Sequence, residues 1–139
     1  MSRKIFVNLP VKDLARSRRF YEAIGFTINE AFSDETAACA VLTEDIYVML
    51  LTHGKMTAFT PLPIGDAARE AQHLLALSLE DRAEVDALME AGIAAGGTEH
   101  RDPQDHGFMY SRALADPDGH VWEPFWMDPA AATGGPPSE

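Results

Sequence analysis

Cysteine is nearly absent from the 139-residue chain: Cys39 stands alone. It can form no internal disulfide and no Cys-rich zinc cluster, as expected of a protein in a reducing cytoplasm. Basic residues are scarce, 11 against 22 acids, for a net charge of −11. A surface of that sign repels phosphate backbones, so no nucleic-acid partner is expected. Long apolar runs are missing as well. A run such as Ile46 to Leu51 falls far short of the roughly 20 residues a membrane helix needs. The opening Met1-Ser2-Arg3-Lys4 also lacks the apolar block of a signal peptide. The expectation is a cytoplasmic protein with no membrane role. What is present is an ordinary globular composition, 46% hydrophobic and 24% charged, at the length of one domain.

The informative feature is an internal repeat. Phe6-Val-Asn-Leu-Pro-Val-Lys-Asp13 reads as a strand ending in Asp, and Leu74-Leu-Ala-Leu-Ser-Leu-Glu-Asp81 reads the same way. In register, Leu9 meets Leu77, Asp13 meets Asp81, Ala15 meets Ala83 and Glu22 meets Glu90. Each Asp is a natural N-cap, its carboxylate able to accept from the free amides of a first helical turn. Glu84 adds a capping-box partner to the second. Phe20, Tyr21 and Ile24 share one helical face, as do Val85, Leu88 and Met89, and Gly25 and Gly92 supply the stops.

Period-2 patterns then predict strands near 27–31, 36–43 and 46–51, and again near 97–101, 108–115 and 120–126. Asp116-Pro-Asp-Gly119 is a strong turn between the last two. The plan is βαβββ twice: an α+β domain over residues 1–127, with module one at about 4–52, module two at about 72–127 and a linker at 53–71. The linker is expected to hold a short helix around 65–70, and residues 128–139 are expected to form a flexible tail.

Three stretches carry a resemblance: Val7-Asn-Leu-Pro-Val-Lys-Asp13, then Ser17-Arg-Arg-Phe-Tyr21 with Ile24-Gly-Phe26, and Asp116-Pro-Asp-Gly-His-Val-Trp-Glu123. They resemble the vicinal oxygen chelate superfamily, also called the glyoxalase/bleomycin resistance/dioxygenase fold. The resemblance implies two βαβββ modules forming a cup-shaped, curled mixed sheet. In metal-dependent members it also implies one ligand in the first and one in the last strand of each module. Carried over, those positions are Phe6, Leu50, Leu74 and Glu123. A divalent ion needs several converging nitrogen or oxygen donors, and only Glu123 offers one, so no metal and no other cofactor is expected.

Strand alternation then points Phe6, Asn8, Ile46, Val48 and Leu50 of module one into the cup. It points Leu74, Ala76, Ser78, Val121, Glu123 and Phe125 of module two the same way. Cys39, Tyr110 and Arg112 join them or not, depending on register. His106 lies in a loop at 99–107 that could reach a bound ligand, whereas His73 and His120 fall on the faces turned away. Such an apolar pocket with few polar handles is the usual make-up of a small-molecule site.

An apolar neighbourhood disfavours a carboxylate's charged form unless a cation or donors compensate, and a carboxyl in that state can serve as general acid or base. Glu123 is therefore the candidate catalytic group, with an ion pair to Arg112 as its structural alternative. The leading reading is a small organic ligand held in the cup, for sequestration or for metal-independent proton transfer through Glu123. A second reading is a metal-dependent glyoxalase-like lyase or extradiol dioxygenase-like enzyme with His73, His106 and Glu123 as relocated ligands. A third is an interaction module whose cup is filled by its own side chains. Under each, a homodimer is expected, because the family often pairs modules across chains and open sheet edges invite pairing.

Overall fold

The computed structural model describes residues 3–133. Its first strand, β1 (Ile5–Val11), buries Leu9 and Val11 on one face and leaves Phe6 and Asn8 exposed on the other. Asp13 caps α1 (Leu14–Ala23) by accepting from the Arg16 amide at 3.1 Å. The helix stops at Gly25, whose φ of +112° lies in the left-handed region. There follow β2 (Thr27–Asn29), a 3-10 turn at Glu30–Phe32, β3 (Ala37–Val41) and β4 (Ile46–Thr52). β1 pairs parallel to β4 and the rest are antiparallel, giving the order β1-β4-β3-β2.

The plan then repeats. After α2 (His53–Met56) and the linker come β5 (Leu75–Ser78), α3 (Arg82–Ala94), β6 (Thr98–Asp105), β7 (Met109–Ala115) and β8 (Val121–Met127). The second sheet runs β5-β8-β7-β6. Asp81 caps α3 through the Glu84 amide at 2.8 Å, while the Glu84 carboxylate reaches back to the Glu80 amide at 2.9 Å. The α+β architecture of two four-stranded mixed sheets is the one the repeat predicts.

Three local expectations differ from what forms. α3 runs through Gly92 to Ala94, and the glycine in the left-handed region past its end is Gly96, at φ +107°. No helix spans 65–70. There Asp66 accepts from the Arg69 and Glu70 amides through its carbonyl and from the Ala68 amide through Oδ1. These bonds close a single turn over 67–69 that is not continued into a helix. Within 128–139, Pro129–Thr133 form a short helix, α4, started by Asp128 accepting from the Ala130 amide at 2.9 Å. Residues 134–139 lie outside the described residues.

The two sheets share one interior. Tyr21 and Phe26 of the first module meet Trp122 of the second in edge-to-face contacts, ring centroids 6.0 and 5.6 Å apart, with Met89 and Leu114 in the same cluster. The fully buried Tyr21 hydroxyl donates to Asp116 Oδ2 at 2.6 Å and accepts from Trp122 Nε1 at 3.0 Å. Burial, followed by the Asp116 charge, pushes that hydroxyl well above its ordinary value. Burial likewise raises the Asp116 carboxyl, although His120 and the Tyr21 hydrogen bond pull the other way.

At the junction His120 Nε2 donates to the Pro10 carbonyl at 2.8 Å, and the Lys12 amide donates to Asp118 Oδ1 at 2.9 Å. Gly119, at φ +95°, lets the linker pass directly over this turn: a Cβ there would sit 2.5 Å from Ala68 Cα.

Candidate functional site

Register decides which side chains face the open side of each sheet. Across the parallel pair, Phe6 stands opposite Tyr47 and Asn8 opposite Met49, and β3 sets Cys39 beside Met49 and Ala37 beside Leu51. These seven residues line a cavity of about 460 Å³ on the first sheet. Asn29, Phe32, Lys55 and Phe59 complete it. The Phe6 and Tyr47 rings stack on one another, centroids 4.3 Å apart and 9° from parallel. Burial pushes the Cys39 thiol up, which keeps it protonated and removes it as a ready nucleophile.

This register corrects one strand of the expected cup. Phe6 and Asn8 line the cavity as predicted, but Val48 and Leu50 are completely buried in the core on the opposite face. β4 reads Ile-Tyr-Val-Met-Leu-Leu-Thr, apolar on both faces, so alternation alone gives it no phase, and a slip of one residue exchanges the faces. Alternation alone therefore does not find Tyr47, Met49 and Leu51. The parallel pairing of β1 with β4, read outward from Phe6, finds Tyr47 and Met49. Phe32, Lys55 and Phe59 come from the 3-10 turn, α2 and the segment after it, where no strand period applies.

On the second sheet Ala76 stands opposite Glu123, and Phe125 opposite both Ser78 and Ser111. Glu123 is not a solitary acid. Its Oε2 accepts from Arg101 at 3.0 Å, and the same guanidinium nitrogen donates to Ser111 Oγ at 3.2 Å. The cation comes from β6, where register shifts on either side of Arg101 break the pairing with β7. Arg112 is not that partner. It donates to Asp86 on α3 and to Glu99, and the Tyr110 hydroxyl donates to Asp86 at 2.6 Å. Tyr110 and Arg112 therefore sit on the helix-covered side, since β7 pairs Ser111 rather than either of them with the Phe125 side.

Leu74 and Ala76 are exposed, and neither lines the first sheet's cavity. His106 sits at the exposed tip of the β6–β7 hairpin, its ring 6.1 Å from that of Phe108. A second cavity, of about 410 Å³, lies where the linker crosses Asn8, Pro10, His120 and Val121, with His73 and His100 in its wall.

The chemistry of a metal site can be tested on these positions. Of the four positions the resemblance implies, Leu50 lies in the core, Phe6 and Leu74 carry no donor atom, and Glu123 is already paired with Arg101. Among the described residues no three His, Cys, Asp or Glu side chains form a group able to hold a metal ion. The relocated set is not brought together: His73 stacks 6.1 Å from His120, His106 rests against Phe108, and Glu123 is bound to Arg101. The residues present do not fit a divalent ion.

Residues 5–123 match the model of the Glyoxalase/Bleomycin resistance protein/Dioxygenase superfamily. The chain belongs to this superfamily. Solved structures agree on the fold. The hypothetical protein SA1046 from S. aureus superposes with a TM-score of 0.76 at 24% identity, over 91% of this chain and 94% of that one. A glyoxalase/bleomycin resistance protein/dioxygenase family enzyme from Burkholderia phytofirmans PsJN gives 0.73 at 21%, over 91% and 99%. The fosfomycin resistance protein FosX from Mesorhizobium loti gives 0.66 at 18%, over 96% of each chain. No curated protein matches the chain. Within the superfamily, this member carries hydrocarbon and aromatic groups on the concave face of its first sheet and an ion pair on its second.

Proposed function

We propose that this superfamily member binds a small organic molecule in the concave face of its first sheet and acts by holding it. The observation that carries the reading is the cavity of about 460 Å³ walled by Phe6, Tyr47, Met49 and Leu51. Its size and apolar lining suit a ligand. Sequestration is favoured over proton transfer because the Glu123 carboxylate is already occupied by Arg101. The fold neighbour named a fosfomycin resistance protein fits a role in which a small organic compound is the target.

A second copy of the chain is the proposed protein partner. β1 and β5 are edge strands, and Phe6, Leu74 and Ala76 on or beside them are exposed. Light scattering after size exclusion tests this part, and a monomer at micromolar concentration overturns it. A cytoplasmic location belongs to the same reading and rests on the buried, unpaired Cys39. No helix among the described residues is long and apolar enough to cross a membrane.

The binding reading is tested by a thermal-shift screen of small organic compounds with a chelator in the buffer. A ligand that binds only the native state must raise Tm. Compounds that raise Tm equally with and without chelator support the reading. No shift across a broad set overturns it, as does binding that the chelator abolishes.

A further inference from the structure

The exposed phenylalanines are not scattered. Phe6 at 49%, Phe32 at 71% and Phe59 at 65% are the strongly exposed ones among the described residues, and all three line the same cavity. They come from three separate elements: β1, the 3-10 turn and the segment after α2. Single exposed apolar residues need no explanation, but three rings around one hollow do. Tyr47 covers one face of the Phe6 ring, and the half-exposed remainder is available to a flat group. Stacked and edge-on ring contacts add to simple burial, which favours an aromatic over an aliphatic occupant.

Charge narrows the class further. Lys55 is the only charged side chain in the wall. It is set there by α2, whose cap Thr52 accepts from the Lys55 amide at 3.2 Å. Its ammonium lies 5.7 Å from the centre of the Phe59 ring, and it is in no ion pair among the described residues. In a chain of net charge −11, a cation beside aromatic walls is a local exception to the surrounding field; its charge also reaches the Asp34 carboxylate, with no direct ion-pair contact between the two. The Asn8 carboxamide, likewise without a hydrogen-bond partner among the described residues, adds a neutral polar contact on the opposite strand.

We infer that the ligand is a planar aromatic acid, its rings laid against Phe6, Phe32 and Phe59 and its carboxylate directed to Lys55. This rests on the binding proposed above and specifies its chemistry. Three probes separate the contributions by isothermal titration of the full chain: naphthoate, the neutral naphthalenemethanol, and cyclohexanecarboxylate, an acid with no flat ring. Naphthoate is expected to bind at least roughly tenfold more tightly than either of the others. Lys55→Met is expected to bring naphthoate down to the level of naphthalenemethanol. Phe32→Leu with Phe59→Leu is expected to weaken both aromatic probes, with an unchanged near-UV spectrum confirming the fold. Equal binding of cyclohexanecarboxylate and naphthoate overturns the inference, as does naphthoate binding that ignores Lys55→Met. If naphthoate fails while other compounds raise Tm in the screen, the aromatic-acid assignment alone falls. If nothing binds in either experiment, the binding reading falls with it.

Discussion

Removing one oxygen atom tests how the two modules are joined. Tyr21→Phe keeps the ring and its edge-to-face contacts with Phe20, Phe26 and Trp122. It deletes the hydroxyl that donates to Asp116 and accepts from Trp122. Both partners are buried, so the substitution orphans a carboxylate oxygen and an indole N–H at once. Each orphan costs about 1–3 kcal/mol, and with partial relaxation the sum is about 2–4 kcal/mol. For a chain of this size that corresponds to a fall in Tm of roughly 10 °C.

The pH dependence of that loss is the sharper test. Burial holds the Asp116 carboxyl above its ordinary value, and the Tyr21 hydrogen bond offsets part of the rise. An acid whose folded pKa exceeds its unfolded one keeps its proton longer when folded. Its stabilising contribution is complete at low pH and declines as pH climbs from the unfolded value through the folded one. Losing Tyr21's hydroxyl raises the folded value further. The gap between wild type and Tyr21→Phe should therefore widen as pH rises from about 4 toward neutrality. Urea unfolding at a series of pH values measures it. A gap that stays flat or narrows over that range, or a Tm change under about 2 °C, refutes the network's role.

Four further outcomes follow from the geometry. Leu50→Ala should cost about 2–5 kcal/mol and Met49→Ala much less, because only Leu50 faces the core, and denaturant midpoints would expose the reverse order. Arg101→Met strands Glu123 and should destabilise by about 1–3 kcal/mol, whereas Arg101→Met with Glu123→Leu should recover much of it, as a double-mutant cycle reads directly. Gly119→Ala combines a strained φ with a backbone clash at Ala68 and should undock the linker, seen as faster proteolysis within 65–73. Arg82 makes two hydrogen bonds to Asp105, holding its carboxyl far below the ordinary range, so Arg82→Lys should let that carboxyl rise in an NMR titration.

Much of the architecture is legible because local and long-range signals coincide. Asp13 and Asp81 cap where expected, Gly25 stops α1, and Asp116-Pro-Asp-Gly119 turns between β7 and β8. The candidate site is less legible. In the second sheet the parallel pairing of β5 with β8 sets Ala76 across from Glu123. β4, apolar on both sides, carries no phase, so Val48 and Leu50 stand for their neighbours Tyr47 and Met49. Arg101 as partner of Glu123 depends on irregular pairing in β6, which a period-2 reading cannot anticipate. The rim formed by Phe32, Lys55 and Phe59 depends on how two short helical turns end, and backbone hydrogen bonds rather than composition set that.

The repeat in the chain does not make two independent bodies. Tyr21 of the first half is bonded to Asp116 and Trp122 of the second, and His120 is tied back to Pro10. Neither half can lose its shape without stripping the other's interior. Heating should therefore produce one cooperative calorimetric transition, and either half expressed by itself would be an incomplete molecule.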